Sequence, residues 1–275
     1  MKKGSGKIIL IVALLSAVVC SAVRFFQIVS LTEYDTGFFY TGSEVGGLLI
    51  YILLAVCAVL LILLAFAGKK NGDDAFTLSS AGMGDNATRW LGISEIIGAL
   101  LMALKLMGEN ETAVTVTIVV SSAALIVSGA GLLGRVVPPK FTGHLKLIVA
   151  VCLFFRLANF FNGDLLVRNH AENLIILLTF ILASAFYASL GRFYARIETK
   201  NTRIGEISLG LLTFLGSATH VFSDLLAMAF GGVEAAAFVK IDTDVAAAAV
   251  ISAVYLAVIF FTEKKKDLVP IAEPD

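Results

Sequence analysis

Long apolar runs separated by short polar connections extend along the whole chain. A helix needs about 20 apolar residues to cross a bilayer, and the runs lie at about 8–30, 45–67, 90–107, 113–133, 147–161, 173–195, 204–230 and 245–262. The third and fifth runs are short and interrupted by charge. The pattern predicts an all-α polytopic membrane bundle of eight transmembrane helices, forming a single unit over 1–262 and followed by a short cytoplasmic tail at 263–275.

The lysine and arginine residues provide an independent test of this span count. Positive charge concentrates in the cytoplasmic connections of membrane proteins. If the eight spans alternate in direction, one side carries only Arg168 and Lys240, whereas the other collects sixteen basic residues, including Lys146 and Arg203. Adding or removing one span in mid-chain would destroy this asymmetry. The distribution predicts a multi-pass protein of the plasma (cytoplasmic) membrane with both termini in the cytoplasm.

Composition narrows the possible function classes. Apolar residues make up 58% of the 275 positions and charged residues only 15%, while 21 basic and 21 acidic side chains give zero formal net charge. Ordinary soluble domains carry roughly 25% charged residues, and nucleic-acid binding requires an excess of positive charge. The composition therefore excludes a soluble enzyme, a disordered tail and a nucleic-acid-binding protein.

The N-terminal run is interpreted as a first transmembrane span rather than as a cleaved signal peptide, and the cysteines as packing residues rather than as reactive groups. The first lysines and the apolar run after them have the order of a signal peptide, but the run continues past Arg24 to Leu31, which favours an uncleaved first span. Cys20, Cys57 and Cys152 lie inside apolar runs, where they are interpreted as small packing residues. No metal site or cofactor is expected.

Two short motifs each occur twice, which suggests an internal duplication. They are Cys20-x-x-x-Arg24-x-x-Gln27 with Cys152-x-x-x-Arg156-x-x-Asn159, and Ile93-x-Glu95-Ile96 with Ile204-x-Glu206-Ile207. The matches pair the first span with the fifth and the third with the seventh, as a 4+4 duplication requires. Because four is an even number, the halves 1–134 and 135–262 would be parallel. Chance similarity between apolar runs is the alternative.

Two arginines inside predicted spans are candidate binding groups. Arg24 and Gln27 are three residues apart and share a helix face, as do Arg156 and Asn159, and both pairs lie in the outward third of a span. A guanidinium beside an amide can hold a carboxylate or a phosphate. The alternative is that each arginine extends to the membrane interface.

His220 and Asp224 form the most specific polar pair. They lie four residues apart in the seventh span and therefore one turn apart on one face. The carboxylate could raise the proton affinity of the imidazole and make the pair a proton relay. Alternatively, Asp224 could be the structural counter-charge of Arg24 or Arg156.

Three further charges fall near the predicted ends of spans. Glu95 and Glu206 lie near the cytoplasmic ends of the third and seventh spans, where a carboxylate is stabilised by the helix dipole. They are interpreted as caps or rim residues rather than as a gate. Lys105, at the outward end of the third span, is interpreted as an interfacial anchor. Glu95 and Lys105 are secondary candidates for the site.

The connection after the first span is aromatic and acidic. Gly37 and Gly42 suggest a turn there. With Arg24 in the first span, an acidic stretch and the run Thr36-Gly37-Phe38-Phe39, the sequence resembles a set of uncharacterised bacterial multi-pass membrane proteins. This resemblance covers about forty residues and implies a bacterial inner-membrane location but no activity.

No catalytic motif is recognised, so the sequence does not predict an enzyme. The first hypothesis is a small transporter or permease with an outward-half site for an anionic or zwitterionic solute. Its site would comprise Arg24, Gln27, Arg156, Asn159, His220 and Asp224. The second hypothesis is a membrane scaffold, sensor or partner subunit whose intramembrane charges are structural pairs. The third is a membrane-embedded enzyme that acts on lipid. Besides the lipid bilayer, none of these hypotheses names a specific partner.

Overall fold

The computed structural model describes residues 5–34, 39–40, 42, 44–70, 83–107, 111–134, 138–163, 171–197 and 200–261. Within these ranges the chain is all-α. Its helices are α1 (Ser5–Leu31), α2 (Glu44–Lys70), α3 (Asp85–Leu104), α4 (Thr112–Gly134), α5 (Pro139–Gly163), α6 (Ala171–Tyr194), α7 (Lys200–Phe230), α8 (Gly232–Phe238) and α9 (Thr243–Phe261). The predicted tail 263–275 and the run Thr36-Gly37-Phe38 lie outside the described residues.

Eight helices are long and apolar enough to cross a membrane, namely all except α8. This confirms the predicted span count. However, α3 begins at Asp85 and α5 at Pro139, several residues before the predicted starts of their spans. The predicted limits were wrong because charged residues inside these helices resembled the ends of spans. The connection predicted between Gly231 and Asp244 also contains α8.

Two helices form the centre of the bundle. In α7 and α9, 61% of the most apolar window is buried, compared with 28% in α2. Helix α7 packs against α1, α2, α6 and α9, while α9 also packs against α3. Further contacts run in chain order from α3 to α4, α5 and α6. Helix α2, packed mainly against α1 and α7, has the largest surface available to lipid.

Glycines allow two pairs of helices to cross closely. A Cβ atom on Gly92 of α3 would lie 2.7 Å from the carbonyl oxygen of Gly129 in α4, and one on Gly143 of α5 would lie 2.6 Å from that of Gly191 in α6. Small residues let membrane helices approach backbone to backbone. Gly129 therefore serves the packing of α4 against α3.

The two ends of the bundle differ in structure. The near end is defined as the end at which α1 begins, and the far end as the one at which α1 finishes. At the far end the chain after α1 folds back on itself, because Tyr40 N–H donates to the Leu31 carbonyl at 2.9 Å and the Tyr34 ring packs 5.5 Å from Phe238 of α8. Gly42 has φ +89°, which fits the expected turn.

Candidate functional site

The first polar cluster lies in the far half of the bundle, between α1 and α7. Arg24 is seven residues before the end of α1, and His220 is ten residues before the end of α7. At a rise of about 1.5 Å per residue these positions are roughly 10 and 15 Å from the far ends of their helices. Both side chains are buried, at 3% and 1% exposure. The two helices are in contact just before these positions, because the Ser21 hydroxyl donates to the Ala218 carbonyl at 3.4 Å.

Asp224 joins this cluster from the next turn of α7. Its Oδ2 lies 3.4 Å from Nδ1 of His220, and its Oδ1 accepts a hydrogen bond from Ser223 at 3.4 Å. The i and i+4 spacing places the two side chains on one helix face, as the sequence predicts. Arg24, His220 and Asp224 together are called the α1–α7 cluster below.

Two buried nitrogen atoms of the α1–α7 cluster have no hydrogen-bond partner among the described residues. In the part of the chain that the structure describes, neither Nη1 of Arg24 nor Nε2 of His220 has a hydrogen-bond partner. A buried polar group without a partner costs about 1–3 kcal/mol, and more if it is charged. These atoms are therefore available to a ligand or to water.

Gln27 connects this region to α2 instead of extending the cluster. Its Nε2 donates to the carbonyls of Gly46 and Gly47, at 2.6 and 3.2 Å. The two glycines leave room for the chain at the end of α1, since a Cβ atom on Gly46 would lie 2.7 Å from Cδ1 of Leu31 and one on Gly47 would meet the Phe39 ring. Gln27 thus fixes the far end of α2 beside Arg24.

Arg156 has a different environment from Arg24. Its Nη1 donates to Oδ1 of Asp244, its Nη2 to the Ser121 hydroxyl and to the Thr117 carbonyl at 3.0 Å, and its Nε to the Thr117 hydroxyl at 3.3 Å. Every guanidinium nitrogen therefore has a partner. The counter-charge of Arg156 is Asp244 at the start of α9, which the sequence analysis placed in a connection.

Lys105 completes a second cluster at the far end. Its ammonium group donates to Oδ2 of Asp242 and to Oδ2 of Asp244, each at 3.0 Å, and lies 5.8 Å from the centre of the Phe180 ring. Lys105, Arg156, Asp242 and Asp244 are called the far-end cluster below. It contains two positive and two negative side chains. Asn159 lies near its rim, where the amide donates to the exposed Glu111 at 3.4 Å.

Glu95 does not lie at a helix end. It is ten residues into α3, only 1% exposed, and its Oε2 pairs with the ammonium of Lys146 at 2.5 Å. Lys146 is itself inside α5 and fully buried, 5.6 Å from the centre of the Tyr194 ring. The prediction of a cytoplasmic connection at Lys146 was therefore wrong, as was that of a rim position for Glu95.

Glu206 also belongs to a buried pair. It accepts an ion pair from Arg203 at 2.8 Å and a hydrogen bond from the Tyr255 hydroxyl, while Arg203 donates to that hydroxyl at 2.9 Å and stacks 4.4 Å from the centre of the Phe193 ring. Arg203 is 0% and Glu206 is 2% exposed. Arg203 was predicted in a connection and Glu206 at a cap or rim position. Both predictions were wrong, because the two side chains are buried within α7.

An apolar groove of about 360 Å³ opens between α2 and α6 with α7 as its floor. Its lining includes Tyr51, Ala55 and Ala58 of α2, Leu178 of α6 and Gly216 of α7. Leu178 is 48% exposed, so the groove faces the side of the bundle, where lipid would lie. The volume falls within the range of about 300–1,000 Å³ that is usual for ligand pockets.

The fold and its eight apolar helices define a multi-pass integral membrane protein in contact with the lipid bilayer. Comparisons with protein families, with curated proteins and with solved structures find no match. Three of the site residues predicted from sequence, Arg24, His220 and Asp224, come together in one cluster. Arg156 and Asn159 lie apart from them, at the far-end cluster.

Proposed function

We propose that the protein is a small transporter or permease whose α1–α7 cluster binds an anionic or zwitterionic solute. The observation that carries the proposal is the buried donor Nη1 of Arg24, which has no hydrogen-bond partner in the described part of the chain and lies in the same cluster as the equally unpartnered Nε2 of His220. A guanidinium binds carboxylates and phosphates through a fixed fork of donors. Asp224 then supplies the acceptor that an ammonium group of a zwitterion requires.

In the proposed transporter, the other charged side chains inside the membrane stabilise the fold. Lys105, Arg156, Lys146 and Arg203 each contact a carboxylate, and such pairs are costly to break when buried. These pairs favour the second candidate, a scaffold or partner subunit whose charges only lock the bundle. The two candidates differ in the role of Arg24, which binds the solute in the transporter but only stabilises the bundle in the scaffold. Neither candidate is an enzyme.

The proposed location is the inner membrane of a bacterium, with the near end in the cytoplasm. Lys69 and Lys70 at the end of α2 and Arg192 near the end of α6 belong to the near end. Cytoplasmic ends of membrane helices are enriched in lysine and arginine. The solute would then approach the α1–α7 cluster from outside.

The experiment compares the two arginines in matched variants, Arg24→Gln and Arg156→Gln. Reconstituted protein is tested for uptake of radiolabelled small carboxylates and amino acids, and for thermal unfolding in detergent. We expect Arg24→Gln to reduce uptake roughly 10- to 100-fold, because hydrogen bonds to charged groups contribute about 1.5–3 kcal/mol. Its melting temperature should stay unchanged or rise.

Arg156→Gln should instead lower the melting temperature, because it leaves Asp244 short of one buried partner. Asp224→Asn serves as a second test within the α1–α7 cluster and should also reduce uptake while the protein remains folded. Uptake by Arg24→Gln at the wild-type rate would contradict the transporter proposal. If both arginine variants only unfold, the scaffold proposal is correct.

A further inference from the structure

Apolar side chains close the far side of the α1–α7 cluster. Arg24, His220 and Asp224 are each at most 3% exposed, so the cluster is closed to solutes in this conformation. Ile28 lies four residues after Arg24 in α1, and Ala227 lies three residues after Asp224 in α7. Each is therefore about one turn closer to the far end, on the same helix face as the polar residue below it.

The third part of this apolar closure comes from the chain between α7 and α9. Ile28, Ala227 and Val239 form one buried cluster, at 0%, 0% and 4% exposure, and Phe25 of α1 and Phe238 of α8 pack against it. Val239 is the residue that directly follows α8. A short helix that does not itself span the membrane thus holds an apolar side chain over the far side of the polar cluster.

The backbone before α8 has the character of a hinge. Gly232 has φ +85°, in the left-handed region that glycine adopts without strain, and a Cβ atom there would have no atom within 4 Å. At the other end of the segment 232–241, Asp242 is fixed by an ion pair to Lys105 at 3.0 Å and accepts the backbone N–H of Asp244 at 2.9 Å. A change of φ and ψ at one or two such residues is enough to move a short segment.

We infer that the segment 232–239, called the α8 lid below, is the outer gate of the proposed solute site. Lifting the lid removes Val239 from Ile28 and Ala227 and opens the α1–α7 cluster to the far side. The outer surface of the lid has little packing to lose, because Val233 is 87% exposed. The inference rests on the proposed function, since it describes how a solute reaches that site.

The test uses a cysteine inside the site to report when the lid opens. Ser223 is 0% exposed, and its hydroxyl lies 3.4 Å from Oδ1 of Asp224, so Ser223→Cys places a thiol beside the cluster. The full protein in nanodiscs is treated with a charged, water-soluble thiol reagent, and the rate of labelling is measured. The wild type, whose three cysteines are buried, provides the background.

We expect Val239→Ala to raise the labelling rate of the Ser223→Cys protein roughly tenfold, because the closed lid loses the contacts of two buried methyl groups. Labelling of a buried group follows the population of the open form. Val233→Ala makes the same change on the exposed side of the lid and should leave the rate unchanged. Val149→Ala, at a position in α5 that is 0% exposed, controls for general loss of stability and should also leave the rate unchanged.

The lid inference is wrong if Val239→Ala labels at the rate of the unchanged lid, or if Val149→Ala accelerates labelling as much as Val239→Ala does. Labelling requires no solute, so this result is independent of the uptake assay. Failure of the transporter proposal is recognised separately, by wild-type uptake in Arg24→Gln.

Discussion

At the scale of single residues, hydrogen-bond satisfaction distinguishes two arginines that the sequence cannot tell apart. Arg24 and Arg156 occur in matching motifs and are both 3% exposed. All three nitrogens of Arg156 have partners, whereas Nη1 of Arg24 has none in the described part of the chain. Breaking a fully paired buried charge costs about 3–5 kcal/mol. We therefore interpret Arg156 as structural and Arg24 as a binding group.

Two buried tyrosines also differ in whether their hydroxyl groups have hydrogen-bond partners, and this difference can be tested by measuring stability. The Tyr255 hydroxyl donates to Glu206 and accepts from Arg203, whereas the Tyr187 hydroxyl has no partner among the described residues. We expect Tyr255→Phe to lower the free energy of unfolding by about 1.5–3 kcal/mol, because hydrogen bonds to charged groups are lost. Tyr187→Phe should be neutral or stabilising.

Both tyrosine variants are measured by denaturant or thermal unfolding in the same detergent. Since each removes one oxygen from a fully buried ring, differences in cavity volume do not affect the comparison. Equal destabilisation by the two variants would contradict the importance of the Glu206 pair.

At the scale of helices, close crossings fix how α3 meets α4. A Cβ atom on Gly92 would lie 2.7 Å from the Gly129 carbonyl, whereas one on Gly205 of α7 would have no atom within 4 Å. We expect Gly92→Ala to destabilise the bundle by roughly 1–3 kcal/mol, because the helices must move apart. Gly205→Ala should be neutral or slightly stabilising through helix propensity. Thermal unfolding of the two variants tests this, and a stable Gly92→Ala protein would refute it.

The sequence predicts the helices better than it predicts their charged contacts. Bilayer thickness sets the length of a span, so apolar runs reveal all eight spans without knowledge of packing. The pairing of Glu95 with Lys146 depends on how α3, α4 and α5 are arranged in space, and periodicity contains no such information. Treating Lys146 as a marker of a span end shortened α5 and hid the partner of Glu95.

A complementary signal was present in the sequence. A carboxylate inside a span, such as Glu95, requires a nearby cation. This requirement indicates that a lysine or arginine lies within a neighbouring span. His220 and Asp224 were found because both lie on one helix, where spacing alone brings them together. The 4+4 duplication stays a prediction.

At the scale of the whole molecule, the far-end cluster gathers two positive and two negative side chains at one end of the bundle. Asp242 lies just before α9, and burial raises the pKa of its carboxyl. The Lys105 ammonium and the Val245 backbone N–H outweigh burial and hold this pKa below its ordinary value of 3.8. Such a carboxyl stabilises the fold above its unfolded-state pKa, and the stabilisation disappears as the pH falls through the folded-state pKa.

We therefore expect the melting temperature of the protein to fall as the pH decreases below about 4. Asp242→Asn should show a smaller fall, since it lacks the titrating group. Glu234→Gln, which changes an exposed carboxyl in α8, is the control and should retain the wild-type profile. Thermal unfolding between neutral and acidic pH measures the effect, and identical profiles for all three proteins would contradict it.

The far-end cluster also has a consequence for biogenesis. Asp244 lies 88 residues after Arg156 and 139 residues after Lys105. Chains are synthesised at about 5–20 residues per second, so Lys105 exists for roughly 7 to 28 s before its partner Asp244 is made. During that interval both cations depend on water, lipid headgroups or the insertion machinery. A chain that stops before Asp242 would keep two uncompensated cations, and a quality-control protease could recognise it by them.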